Sequence, residues 1–142
     1  GGALATGAFA YLLGKFDFAA SLHEIHLVTL GSPRFGDARF VAKLADEVKK
    51  LEVMDKCSVQ RVVHNDDIVP TVPPQVLGFE HVGGLLRLTE NSAGQSREML
   101  GAEAEEPLEL GSELVTDHEP VRYLRSIDSL VQRSRKMKDT DT

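Results

Sequence analysis

Apolar and polar positions along this chain fall into blocks whose spacing predicts most of its elements. From Ala3 to Leu13 the sequence is almost unbroken in its apolarity. This predicts a helix over 2–14, apolar on every face and stopped by Gly14, of the kind buried inside a larger α/β protein. The run falls short of the roughly 20 residues that cross a bilayer. Its Lys15 comes after it rather than before it, so it is not built as a signal peptide. Glu24 to Leu30 is nearly continuous and apolar apart from His26 and Thr29, the pattern of a parallel strand covered on both faces. Gly31-Ser32-Pro33-Arg34-Phe35-Gly36 breaks both regular structures and reads as a loop. Asp37 then suits an N-cap. Behind it Val41, Leu44, Ala45, Val48 and Leu51 recur at helical spacing, with Lys49 and Lys50 in the last turn.

A second strand is expected from Ser58 to His64, followed by a turn rich in Asp and Pro. Phe79–Val82 and Leu85–Leu88 read as short strands joined by a tight hairpin at Gly83-Gly84. Positions 91–113 are polar, rich in Gly and Glu and without period, so they read as a mobile loop or insertion. From Pro120 to about Lys136 a last helix aligns Val121, Leu124, Ile127, Leu130 and Val131 on one side, with Pro tolerated in its first turn. The order helix, strand, helix, strand, hairpin, helix implies an α/β architecture, a parallel sheet with flanking helices. No repeat or linker divides residues 1–142.

Charge narrows the partners. The chain of 142 residues carries a formal net charge of −6, which argues against nucleic acid, because phosphate binding needs a clustered basic surface. The one basic cluster, Arg133 to Lys138, suits a solvated helix end. The single Cys57 rules out an internal disulfide or a thiolate metal site and reads as a small buried apolar residue.

The candidate chemistry lies at strand ends, where open α/β sheets gather their ligands. Asp66 and Asp67 follow the second predicted strand and precede Ile68-Val69-Pro70. On position alone they read more readily as turn aspartates bonded to their own backbone. His118 follows Asp117 at the start of the last helix, where a capping or surface histidine would also fit. Order separates the readings. An acid after one strand and a histidine after the last is the Asp-then-His order of hydrolases whose nucleophilic serine comes first in the chain. A serine hydroxyl attacks poorly until an imidazole takes its proton, and the imidazole needs a carboxylate to fix its tautomer. The serine is then expected upstream, on a G-x-S-x-G turn. If Gly1 closes that turn, the serine lies two residues before the chain begins.

Two other arrangements compete. Ser32 could attack, but Pro33 directly after it cannot supply the backbone N–H that such a turn uses for the oxyanion. His64, Asp66, Asp67 and His81 are ligand types for a metal-dependent phosphoesterase. Further clustered acids are missing from that set, and His23 and His26 fall on opposite sides of a predicted strand.

Four stretches in order resemble the class 3 (fungal lipase-like) family of α/β-hydrolases. Gly1-Gly2-Ala3-Leu4-Ala5 looks like the tail of its G-H-S-L-G-G-A-L-A elbow. Thr29-Leu30-Gly31-Ser32-Pro33-Arg34-Phe35-Gly36-Asp37 resembles T-F-G-x-P-R-x-G-[ND]. Arg61 to Pro70, with Pro73-Pro74, resembles the stretch holding the catalytic aspartate, and Asp117-His118 with Tyr123 resembles D-H-x-x-Y. Four residues separate His118 from Tyr123 where two are common. The resemblance implies the C-terminal portion of an α/β-hydrolase domain, its N-terminal half lying upstream. It makes Asp67, directly before the x-V-P step, the acid in preference to Asp66, and His118 the base. His81, in Gly78-Phe79-Glu80-His81-Val82-Gly83, reads as structural. The implied activity is ester hydrolysis on lipids through an acyl-enzyme, with both oxyanion donors before Gly1. No cofactor and no metal is implied. The implied partners are a lipid or other ester substrate and a transiently touched lipid surface, and not nucleic acid. A lipase-like chain without catalysis, used for binding, is the alternative.

Overall fold

The computed structural model describes residues 1–90, 96–101 and 116–140. The elements run α1 (Gly2–Lys15), β1 (Ile25–Leu30), α2 (Ala38–Glu52), β2 (Cys57–His64), β3 (Gly84–Glu90), β4 (Ser96–Gly101) and α3 (Pro120–Thr140). They form one four-stranded sheet in the order β1-β2-β3-β4. The first three strands are parallel, with Leu27 opposite Val59 and Val62 opposite Leu86, and β4 pairs antiparallel with β3.

Helices cover the sheet on both sides because successive strand residues face opposite ways. On one side Phe9 of α1 and Leu44, Val48 and Leu51 of α2 close over Leu27, Cys57 and Val59. On the other, Tyr123 of α3 packs with Val62 and Leu88, backed by Leu86, Ile127 and Leu130. Each fully buried aliphatic side chain contributes about 1.5–3 kcal/mol. The Asp37 carboxylate starts α2 as expected, accepting the Phe40 N–H at 2.7 Å. Burial pushes the Cys57 thiol up from its ordinary range and keeps it an inert apolar filler. No described helix is long and apolar enough to cross a membrane.

The structure departs from the sequence pattern in four places. The first helix is not buried all round: Thr6 and Phe9 are buried, whereas Leu4 is 79% and Tyr11 63% exposed. Strand β1 alternates, with Leu27 and Thr29 inside and His26, Val28 and Leu30 outside, because the described residues supply it with cover on one face only. Full cover on both faces belongs to the end of β2, from Arg61 to His64. The third departure is at Gly83-Gly84, which forms no hairpin. Phe79–Val82 is not a strand, and β3 begins at Gly84 alongside Gln60 of β2. Gly83 sits at φ +87° where a Cβ would lie 2.4 Å from Val59 Cγ1, so this glycine marks a close crossing over β2. Fourth, Ser96–Gly101 is a strand within the stretch read as a loop, and the rest of 91–113 lies outside the described residues.

A parallel β2–β3 pair cannot be joined by a tight turn and requires a crossover. Residues 65–83 make it without an α-helix, through short 3₁₀ turns at Val69–Thr71 and Gln75–Leu77. This irregular crossover carries both candidate aspartates.

Candidate active site

Three loops meet at the carboxyl ends of β1 and β2. The first follows β1 at Gly31, the second follows β2 at Asn65, and the third is the 3₁₀ turn Thr116–His118 that leads into α3. Sharp local bonding fixes the second loop. Asn65 takes φ +42°, a conformation that asparagine tolerates better than most residues, and the Asp67 N–H donates to His64 O at 3.0 Å. That turn separates the neighbouring aspartates, leaving Asp66 exposed and burying Asp67 to 2%.

Three donors converge on Asp67. His118 Nδ1 lies 2.9 Å from Oδ2, the Tyr123 hydroxyl donates to the same oxygen at 2.6 Å, and the Val69 N–H donates to Oδ1 at 2.8 Å. A buried carboxylate is an acceptor-only group and needs such a set. Burial, and next the hydrogen bond to Asp67, push Tyr123 well above its ordinary phenol range, so its hydroxyl stays a donor. The longer spacing between His118 and Tyr123 does not separate them from the aspartate. The Asp67 side chain is fully buried while that of His118 is 41% exposed, so the pair is shielded at its acid and open at its imidazole.

The loop after β1 closes the site from below. Gly31 takes φ +58°, and a Cβ there would lie 2.5 Å from Asp67 Oδ2 and 2.8 Å from His118 Nδ1. Glycine is the residue that permits both this backbone and this approach. Ser32 is buried, and its hydroxyl donates to Pro33 O at 3.1 Å. A Cβ on Gly2 would meet the Ser32 Cβ at 2.5 Å, so the amino end of α1 packs on the residue next to the Asp67–His118 pair.

Arg34 and His81 brace the second loop. The buried Arg34 guanidinium donates to Thr71 O and, at 3.0 Å, to Pro73 O, while its backbone N–H donates to Val72 O at 2.9 Å. His81 Nε2 donates to Pro70 O at 2.9 Å. Burial, helped by the Arg61 charge, lowers the His81 pKa to about 4, so it is neutral at physiological pH. The four residues of the competing metal reading are thus dispersed, since Asp66 faces solvent and His81 is committed to a carbonyl. Among the described residues no three His, Cys, Asp or Glu side chains are grouped as metal ligands would be.

Some features were not drawn from the sequence. Gly31, Arg34 and Tyr123 stood in motifs without a role, and the grouping of Asp117 with Arg122 and His64 was not anticipated. A glycine at the end of an apolar strand and an arginine between proline and phenylalanine were the available signals.

The family model for Lipase (class 3) matches residues 1–77. The chain belongs to the class 3 lipase family. A secreted mono- and diacylglycerol lipase from Fusarium solani is 41% identical over 81 residues, which is 57% of this chain and 20% of that protein. Lipase II from Rhizopus niveus aligns with a TM-score of 0.56 at 27% identity, over 83% of this chain and 42% of that one. The Rhizomucor miehei triacylglyceride lipase aligns with a TM-score of 0.46 at 30% identity, over 66% of this chain and 33% of that one. The chain therefore spans less than half the length of these relatives. The fold is that of an α/β-hydrolase, with the parallel sheet and flanking helices expected from the sequence.

Proposed function

We propose that this chain supplies the acid, Asp67, and the base, His118, of a Ser-Asp-His triad that hydrolyses lipid esters, with the serine upstream of Gly1. The observation that carries the reading is the 2.9 Å contact between His118 Nδ1 and the buried Asp67 Oδ2 at the carboxyl end of the sheet. With Nδ1 donating to the carboxylate, Nε2 is left as the basic nitrogen. It takes the serine proton as the hydroxyl attacks the ester carbonyl, and Asp67 stabilises the imidazolium that forms. His118 then gives the proton to the departing alcohol. Water repeats the sequence on the acyl-enzyme.

The position of α1 supports an upstream serine. Its amino end packs on Ser32, the residue after Gly31, and Gly31 abuts the Asp67–His118 pair, so the start of α1 lies on the same side of the molecule as the proposed site. Ser32 is buried and its hydroxyl is engaged with Pro33 O at 3.1 Å, which counts against it as the nucleophile.

The relative from Fusarium, a mono- and diacylglycerol lipase, favours acylglycerols as substrates. Beyond Asp67 the crossover exposes Val72 (45%), Val76 (90%) and Leu77 (67%), an apolar rim suited to transient contact with a lipid surface. The test is hydrolysis of an acylglycerol and of a soluble chromogenic ester by the full-length protein. Loss of both with His118→Ala is expected. Ester turnover that survives His118→Ala would reject the assignment, and no turnover by the unaltered protein would favour a binding role. Residues 1–142 alone are expected to be inactive.

A further inference from the structure

Beneath the Asp67–His118 pair lies a second acid–histidine pair built from the same two segments in the opposite sense. The end of β2 supplies His64 and, three residues on, Asp67. The 3₁₀ turn supplies Asp117 and His118. Asp67 meets His118, and Asp117 meets His64, with Asp117 Oδ1 3.6 Å from His64 Nδ1. The two pairs differ in setting. The inner side chains are 0% and 6% exposed, against 41% for His118. At 3.6 Å the inner contact is too long for a hydrogen bond, and Asp117 takes its direct bond from Arg122, whose Nη1 lies 3.1 Å from the same oxygen. The His64 ring packs against Tyr123, with centroids 5.5 Å apart.

These contacts close into a ring. Asp67 is bonded to His118, and His118 follows Asp117 in the chain. Asp117 is bonded to Arg122, Arg122 precedes Tyr123, and Tyr123 returns to Asp67. Asp67 is the link that touches the imidazole itself; the Asp117–Arg122 and Tyr123–Asp67 bonds hold the turn and the acid on either side of that contact. The Asp117–Arg122 bond links the 3₁₀ turn to the first turns of α3, and within the turn the Glu119 N–H donates to Thr116 O at 3.1 Å.

We propose that Asp117 and Arg122 are positioning residues for His118. They fix the turn so that Nδ1 meets Asp67 and the ring keeps one orientation, and buried His64 is the wall against which Asp117 is set. The proposal rests on the reading of His118 as the base, but the hydrogen bond it concerns can be observed without substrate.

The experiment uses the full-length protein and records the low-field proton NMR signal of His118 Nδ1–H, assigned by its loss in His118→Ala. Steady-state ester hydrolysis is measured alongside. In Asp117→Asn and Arg122→Gln the signal is expected to broaden or disappear. Misplacement of about 1 Å costs up to about a hundredfold in rate, so kcat should fall by that order while KM stays within about twofold. Arg122→Lys should restore part of both. Arg122, with a third of its side chain exposed, is the gentler site should Asp117→Asn not fold. A folded Arg122→Gln with an unshifted signal and unchanged kcat would overturn the proposal. If the signal responds as expected in a protein that hydrolyses no ester, the positioning role stands and the hydrolase reading falls.

Discussion

At the scale of single residues, the site is defined by which groups are withdrawn from water. Asp66 and Asp67 are adjacent and chemically identical, and sequence position alone treats them alike. A hydrogen-bonded turn buries one and exposes the other. Asp67→Asn should therefore lower kcat about ten-thousand-fold, the cost of losing the tautomer-fixing carboxylate in such triads. Asp66→Ala should leave most activity, and the reverse ranking would move the acid to Asp66. Gly31 carries an equally local requirement. Gly31→Ala adds a Cβ 2.5 Å from Asp67 Oδ2 on a backbone at φ +58°. Its expected signature is a fall in kcat larger than any change in KM, because the new atom presses on the pair itself. Wild-type kinetics from Gly31→Ala would show that the loop moves aside freely. The sequence contained Gly31, Arg34 and Tyr123 within motifs. It did not contain their distances, which depend on three loops meeting.

At the scale of elements, the crossover from β2 to β3 is the most informative segment. Gly83-Gly84 suggested a hairpin because two glycines between apolar runs are a strong local turn signal. Tertiary packing used Gly83 instead to pass close over Val59, and β3 joined the sheet parallel to β2. Period-based reading located α1, α2, α3 and the first two strands, since these follow spacing within the chain. It could not place a strand whose partner is distant, nor see that α1 and β1 are covered on one face. The crossover lacks an α-helix of its own, so Arg34 and His81 hold it by bonding its carbonyls. The Arg34 bonds are charge-assisted, and hydrogen bonds to charged groups contribute about 1.5–3 kcal/mol, more than the bond from neutral His81. Arg34→Met should thus destabilise the protein by about 2–3 kcal/mol in urea unfolding, and an unchanged midpoint would remove the brace from the account. His81 adds a pH dependence. Its pKa is lowered from 6.5 to about 4 on folding, so below 6.5 the unfolded chain takes the proton first. That contribution is intact above pH 6.5 and is lost as pH falls toward 4. Between pH 7 and pH 5 the wild type should lose more unfolding stability than His81→Gln, and equal losses would contradict the lowered pKa.

For the whole molecule, the sheet joins an acid and a histidine 51 positions apart by setting the ends of β2 and α3 side by side. The order of acid and histidine was legible in the sequence, because motif order survives without coordinates. The motifs also implied that the two act together, but not the geometry of their contact, which needs the crossover folded and α3 docked on the opposite side of the sheet from α1. The chain belongs to the class 3 lipases and has the α/β-hydrolase fold, and it spans 42% of the length of the Rhizopus niveus enzyme. In the proposed function Asp67 and His118 activate a serine just upstream of Gly1. The most direct measurement is labelling of the full-length protein with an activated fluorophosphonate, followed by peptide mapping and rates for three variants. The account predicts one adduct on a serine preceding Gly1, formed at least about a thousandfold more slowly in His118→Ala and Asp67→Asn, and at the normal rate in Asp66→Ala. An adduct on Ser32, or labelling indifferent to His118, would contradict it.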